Sequence, residues 1–154
     1  MENTELFTLL EQYLDYGIMG ILSIMSVVSL WLFVERMMYY KAVKIEEFKH
    51  KDEFELELGS NLGTISAIGA NAPYVGLLGT VLGIMLTFYT LGDVGAVDAK
   101  KIMTGLALAL KATAFGLIVA IPAIAFYTIL LRKMERLMVA WDINNKENQG
   151  IKDN

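Results

Sequence analysis

The stretch that decides the fold is PYVGLLGTVLGIMLTFYTL, residues 73–91, which runs for 19 residues without a charged side chain. Two further runs share this character: residues 17–34 contain 18 residues with no charge, and residues 104–131 contain 28 with Lys111 as their single charge. At about 1.5 Å per residue, 18 helical residues reach roughly 27 Å, close to the roughly 30 Å hydrocarbon layer of a bilayer. A chain of 154 residues has too little polar sequence to bury three such helices. The sequence therefore predicts an all-α integral membrane protein with three transmembrane helices.

The composition narrows the classes of function. Hydrophobic residues make up 55% of the chain and charged residues 19%, whereas soluble domains average about 45–50% and about 25%. The net charge of −4 gives no indication of a nucleic-acid partner. No cysteine is present, which excludes disulfides and thiolate metal sites. His50 is the lone histidine, and no nucleophile–base set is recognisable, so we expect neither an enzyme nor a bound metal or other cofactor.

The basic residues predict the orientation. Residues 35–72 and the tail after residue 131 together hold ten Lys and Arg, whereas the amino terminus and the segment joining the second and third runs hold two. Because Lys and Arg concentrate on the cytoplasmic side of membrane proteins, the amino terminus is predicted to lie outside and the carboxyl terminus in the cytoplasm. The predicted segments are an outer interfacial helix (1–16), transmembrane helix 1 (17–34), a cytoplasmic helical segment (35–72), transmembrane helix 2 (73–91), an outer loop (92–103), transmembrane helix 3 (104–131) and a cytoplasmic extension and tail (132–154). We expect residues 144–154 of that tail to lack regular structure.

One face of transmembrane helix 2 carries small or hydroxylated side chains. At 100° per residue, this face holds Gly69, Pro73, Gly76, Thr80, Gly83 and Thr87. Gly79 and Gly83 also form a small-xxx-small pair, and small residues let helices approach closely in lipid. The glycine stripe is therefore expected to pack against neighbouring subunits. The threonines leave a second interpretation open, in which the face lines something polar or hydrated.

Transmembrane helix 3 repeats this pattern more weakly. Ala109, Thr113 and Gly116 share a face, which predicts close helix packing at Gly116, and Pro122 interrupts the same apolar run. A proline is tolerated there only where neighbouring helices satisfy the carbonyl that it frees. Packing roles are therefore predicted for Gly76, Gly79, Gly83, Gly116, Pro73 and Pro122.

Lys111 is the single charge inside an apolar run, and it lies about 160° around the helix from Thr113. Intramembrane cations are functional candidates, but this one is near the outer end of its run, where a lysine stem can reach the lipid phosphates. We expect Lys111 to contact lipid or pair with a partner rather than to carry protons.

The three apolar runs contain no Asp, Glu or His. Proton movement through membranes generally uses such titratable groups, and threonine hydroxyls can only pass or orient hydrogen bonds. If this chain moves protons, a partner must supply the carboxylate.

Three motifs resemble those of the ExbB/TolQ/MotA proton-channel family. They are NAPYVGLLGTVLGIMLTF at residues 71–88, ALKATAFGLIVAIPAI at residues 109–124, and WLFVER at residues 31–36. The glycines, prolines and threonines of the two long motifs agree with the family in order and spacing. The short chain with three spans is similar to the ExbB and TolQ branches, with ExbB favoured by its compactness, and has no room for the large cytoplasmic domain of MotA.

This resemblance implies a homo-oligomer, specifically a pentamer, in the bacterial inner membrane. Its second and third spans would line a pore around an ExbD-like single-span subunit whose aspartate carries the proton, and a TonB-like protein would be driven to power uptake through outer-membrane receptors. Thr80 and Thr113 match the pore-facing threonines, and Thr87 would extend the proton pathway. Leu108 departs from the family, because better-known members have glutamate there. Two alternatives remain open: a TolQ-type motor subunit for envelope integrity, and a non-conducting membrane scaffold.

Overall fold

The computed structural model describes residues 2–92 and 99–152, which form four α-helices and one short 3-10 turn. The helices are α1 (Glu2–Ala42), α2 (Lys51–Gly59), α3 (Leu62–Gly92) and α4 (Ala99–Lys152), with the 3-10 turn at Ile45–Glu47. The predicted outer loop, residues 92–103, lies partly outside the described residues, since α3 ends at Gly92 and α4 begins at Ala99.

Three stretches of the described residues are long and apolar enough to cross a membrane, and each overlaps one of the three runs found in the sequence. Large apolar side chains are exposed along them, including Trp31 and Ile121, each 67% exposed. Apolar surface of this extent is covered by lipid or by another protein rather than left in water. The prediction of an all-helical fold with three long apolar helices is therefore confirmed.

Two of the helices are much longer than a bilayer is thick. α1 has 41 residues and α4 has 54, so at about 1.5 Å per residue they extend roughly 60 Å and 80 Å. The expectation that residues 144–154 lack regular structure was wrong as far as Lys152, where α4 ends. Because residues 123–149 contain no glycine or proline, nothing in this polar sequence interrupts the helix.

The closest packing is between α3 and α4, and α1 lies against both. In the apolar region the three helices share a core of small and branched side chains: Ile18, Leu22, Ile68, Ala72, Ala112, Val119, Ala120 and Ala123. Alanine at half of these positions lets the helix axes approach one another.

A second core forms where α2 packs beside the ends of the apolar segments. Phe54 and Leu58 of α2 are fully buried there. The last carbonyls of α2 accept hydrogen bonds from α1: Arg36 Nη1 donates to Glu57 O at 3.1 Å, and Tyr40 Oη donates to Leu58 O at 2.5 Å. Since helix C-terminal carbonyls have no partners within their own helix, these two side chains fix the end of α2 to α1.

α4 closes the other side of this second core. Trp141 Nε1 donates to Phe48 O at 3.1 Å, and Lys51 pairs with Asp142 at 2.8 Å, a hydrogen bond that raises the pKa of Lys51. Asn61 has φ of 66°, in the left-handed region, and makes the sharp turn from α2 into α3. These contacts join the end of α1, the short helix α2 and the second half of α4 into one packed unit beside the apolar segments.

Candidate functional site

Thr80 of α3 and Thr113 of α4 meet where these two helices cross. Their Oγ1 atoms lie 2.5 Å apart, and Thr80 Oγ1 is also 2.9 Å from Ala109 O and 3.4 Å from Gly76 O. The sequence predicted that both threonines lie on the small faces of their helices, and the structure brings their hydroxyls into direct contact.

Two glycines let α3 and α4 approach closely enough for the two threonine hydroxyls to meet. A Cβ added to Gly76 would lie 2.6 Å from Ala112 O and 3.1 Å from Gly116 Cα, and a Cβ on Gly116 would lie 2.7 Å from Ala72 O. These neighbours are backbone atoms, which cannot rotate away, so only glycine fits at either position. The resulting short separation lets the short threonine side chains span the space between α3 and α4.

The two hydroxyls can be arranged in two ways. Each carries one proton and can also accept a hydrogen bond. When Thr80 donates to Ala109 O, Thr113 can donate to Thr80. The Thr113 oxygen can then accept a hydrogen bond from a group outside the chain. When Thr80 donates to Thr113 instead, the proton of Thr113 is available to a group outside. The pair can therefore offer either a donor or an acceptor to a partner without ionising.

Exposure distinguishes the two threonines. Thr80 is only 7% exposed, whereas Thr113 is half-buried. Thr80 therefore does not line an open surface of the single chain, and Thr113 is the more accessible of the two hydroxyls. That both hydroxyls face a pore stays a prediction.

Thr87 lies about two helical turns from Thr80, a distance of roughly 10 Å along the axis. Its Oγ1 donates to Gly83 O at 2.8 Å, and the residue is buried. A Cβ on Gly105 would lie 2.6 Å from Thr87 Oγ1, so this threonine packs against α4. The structure thus places Thr87 in a helix contact and does not bring it together with the Thr80–Thr113 pair.

The glycine stripe is occupied by helices of the same chain. A Cβ on Gly79 would meet Ala112 Cβ at 2.8 Å and Ile18 Cγ2 at 2.9 Å, and one on Gly83 would meet Ala109 Cβ at 2.9 Å. The expectation that this stripe packs against neighbouring subunits was therefore wrong for these positions. Helical periodicity identifies the small face but not the helix that covers it.

Both prolines lie inside continuous helices. Pro73 is half-buried within α3, and Pro122 is exposed within α4. Neither helix ends there. Proline lacks the backbone N–H that would bond the carbonyl one turn earlier, so each position is a point where its helix bends most easily.

Lys111 pairs with Asp15 of α1 across 2.8 Å. Asp15 precedes the first apolar run by two positions and so was not among the predicted site residues. A signal was available: a lysine near the start of one span needs an acid at the same depth, and Asp15 is the acid nearest the start of the first span.

Leu108 is 46% exposed and lies at the edge of a cavity of about 290 Å³ between α1, α3 and α4, which Asp15 also lines. Among the residues that the structure describes, no three His, Cys, Asp or Glu side chains come together as metal ligands would. The chemistry of the site is therefore that of paired hydroxyls at a helix crossing, with a separate ion pair between Lys111 and Asp15.

The sequence is similar to proteins of one family. A model of the MotA/TolQ/ExbB proton channel family matches residues 35–143. The chain is 52% identical over 133 residues to the biopolymer transport protein ExbB of Aquifex aeolicus, covering 86% of this chain and 90% of that protein. It is 48% identical over 129 residues to the biopolymer transport protein ExbB of Helicobacter pylori strain J99, covering 84% and 89%.

A longer relative matches over a smaller part. The biopolymer transport protein ExbB of Salmonella typhimurium is 38% identical over 98 residues, which cover 58% of this chain and 40% of that protein. The residues that the family model matches include Thr80 and Thr113 and the two glycines at their helix crossing, Gly76 and Gly116. The chain belongs to the MotA/TolQ/ExbB proton channel family and is a short member of it with three long apolar helices.

Proposed function

We propose that this chain is the proton-channel-forming subunit of an inner-membrane motor of the ExbB–ExbD–TonB type, which uses the proton motive force to power uptake through outer-membrane receptors. Family membership and about 50% identity to proteins named ExbB support an energy-transducing role of the ExbB kind. Three long apolar helices support a place in the inner membrane.

The observation that carries this proposal is the contact between Thr80 and Thr113. The apolar runs contain no Asp, Glu or His, so a proton-carrying carboxylate has to come from an ExbD-like single-span subunit. The half-buried Thr113 hydroxyl would donate to that carboxylate when it is charged and accept from it when it is protonated. Thr80 would support both arrangements from inside the chain: it would donate to Thr113 in the first, and in the second it would accept from Thr113 while donating to Ala109 O.

The assembly would be a homopentamer in which α3 and α4 surround the partner helix. The amino terminus would lie in the periplasm and the carboxyl terminus in the cytoplasm, as the distribution of Lys and Arg indicates. α2, the last turns of α1 and the second half of α4 would then form the cytoplasmic extensions, and a TonB-like protein would receive the mechanical output. The same architecture would serve a TolQ-type role in envelope integrity.

A non-conducting scaffold is the second candidate. It is favoured by one observation: the glycines of the α3–α4 crossing (Gly76, Gly79, Gly83 and Gly116) and the hydroxyls of Thr80 and Thr113 have packing or hydrogen-bond partners within the chain. A scaffold would require these contacts only for stability, so deletion of a hydroxyl would reduce activity only as far as it reduced folding.

Reconstitution into liposomes tests the proposal. The purified chain alone, under an imposed pH gradient and with a potassium diffusion potential, should conduct few protons. Addition of the ExbD-like subunit should produce flux, and its Asp→Asn variant should abolish that flux while still assembling. Strong flux from the chain alone would contradict the division of labour, and no flux with the partner present would favour the scaffold.

A further inference from the structure

The outer end of the helix bundle contains a cavity that the proton pathway does not use. It has a volume of about 290 Å³ and lies between α1, α3 and α4. Its walls are apolar or small, including Ile18, Gly79, Gly83 and Ala112, while Asp15 and Gln12 lie among its lining residues on α1. The volume is about ten times the roughly 30 Å³ that a water molecule occupies.

The walls favour an apolar occupant over water. Buried water needs two to four polar partners. Asp15 and Gln12 can bond water, whereas the wall formed by Ile18, Gly79, Gly83 and Ala112 offers it no side-chain donor or acceptor. Two carbonyls of lining residues already accept hydrogen bonds from threonines: Ala109 O from Thr80, and Gly83 O from Thr87. A hydrocarbon chain fills such a space without leaving polar groups unsatisfied, and the bilayer supplies hydrocarbon at this depth.

The charges beside the cavity identify the head group. Lys111 and Asp15 form an ion pair at 2.8 Å, with 43% and 34% of their side chains exposed. The pair presents a cation and an anion side by side. A ligand with complementary charges has a phosphate that accepts from the Lys111 ammonium and an amine that donates to the Asp15 carboxylate, which gives an alternating ring of four charges.

We propose that this cavity binds a zwitterionic aminophospholipid, with one acyl chain between α1 and α4 and its head group on the Lys111–Asp15 pair. An anionic lipid without an amine leaves Asp15 facing negative charge. A choline lipid has the right charges, but its quaternary amine has no N–H to donate. Primary-amine head groups are therefore preferred, and the preference depends on Asp15.

Native mass spectrometry of the assembled, detergent-solubilised protein tests this directly. The probes are phosphatidylethanolamine, phosphatidylcholine and phosphatidylglycerol with identical acyl chains. The ethanolamine lipid should bind about tenfold more tightly than the choline lipid, the ratio expected for one charge-assisted hydrogen bond. Equal binding of all three lipids to the unaltered protein overturns the proposal.

Variants assign the effect to the cavity. Asp15→Asn should abolish the preference for ethanolamine over choline, and Lys111→Met should weaken binding of all three lipids, whereas Lys111→Arg should retain it. Leu108→Trp should reduce binding by filling the space for the acyl chain. Lys44→Met is the matched control, because it removes an exposed paired lysine far along the sequence from the cavity and should change nothing.

The same spectra report the oligomer, so a variant that fails to assemble is recognised. If Lys111→Met or Leu108→Trp fails to assemble, the comparison of Asp15→Asn with the unaltered protein decides whether the cavity selects the lipid. Persistence of the ethanolamine preference in Asp15→Asn contradicts the proposal. Lipid binding does not require proton transport, so these outcomes are independent of the motor function proposed above.

Discussion

Removal of the Thr113 hydroxyl is the sharpest test of the proposed mechanism. Thr113→Val keeps the shape of the side chain and leaves Thr80 bonded to Ala109 O at 2.9 Å, so no buried polar group loses its partner. The free energy of unfolding should fall by only about 0.5–1 kcal/mol. A hydrogen bond to a charged carboxylate contributes about 1.5–3 kcal/mol, so proton flux should fall about 10- to 150-fold.

The assay is proton flux in liposomes that contain this chain and its ExbD-like partner, with thermal denaturation of the same preparations. Thr113→Ser should restore flux, because it returns the hydroxyl. Thr128→Val is the matched control on the same helix: its hydroxyl donates to Ile124 O at 2.9 Å at an exposed position. Normal flux in Thr113→Val, or an equal loss in Thr128→Val, would refute the role assigned to this hydroxyl.

Thr80→Val extends the same test. It removes the hydrogen bond to Ala109 O as well as the contact with Thr113, so its stability loss should be larger, about 1–2 kcal/mol. It should also lose flux, because Thr113 then has no internal partner. A scaffold predicts a different result, in which the activity of both variants follows their stability alone.

Three further predictions concern packing and topology. In thermal denaturation, Gly76→Ala should destabilise the protein by about 1–3 kcal/mol, since its Cβ would lie 2.6 Å from a backbone carbonyl of α4. Gly63→Ala is the control: a Cβ there meets nothing within 4 Å, so this variant should be neutral or stabilising in the same assay. Arg36→Met should increase amide hydrogen exchange across α2, because the bond to Glu57 O is lost; unchanged exchange would mean that packing alone holds α2. Reporter fusions should locate the amino terminus outside and Lys49 inside, and a cytoplasmic amino terminus would reverse the proposed orientation.

The apolar helices and the small faces could be predicted from the sequence because both depend on local pattern. Uncharged runs of 18 to 28 residues predict spans directly, and a 100° repeat places Thr80 and Thr113 on small faces. Both features survive in the structure, where the two hydroxyls are in contact.

Contacts between helices could not be predicted in the same way. The periodicity that identifies Gly79 does not distinguish a neighbouring subunit from Ile18 of the same chain. The helical continuation of α4 from residue 144 to Lys152 was also missed, because a polar tail was taken to lack regular structure, while helix continuation depends on the absence of breakers. Asp15 was missed because a charged residue outside a run has no periodic signal of its own.

The arrangement of α4 connects the candidate site to the rest of the molecule. Thr113 lies in its apolar part, and Trp141 is bonded to the second core through Phe48 O. At the level of Thr113 the helix cannot move closer to α3, because Gly76 and Gly116 already bring backbone atoms into contact. A displacement of α4 at Thr113 would therefore shift the helix as a whole or bend it, and Pro122, between the site and the second core, is where bending requires least energy. If a proton event at the threonine pair displaces α4, as a proton-driven function would require, the displacement would reach the second core through one continuous helix.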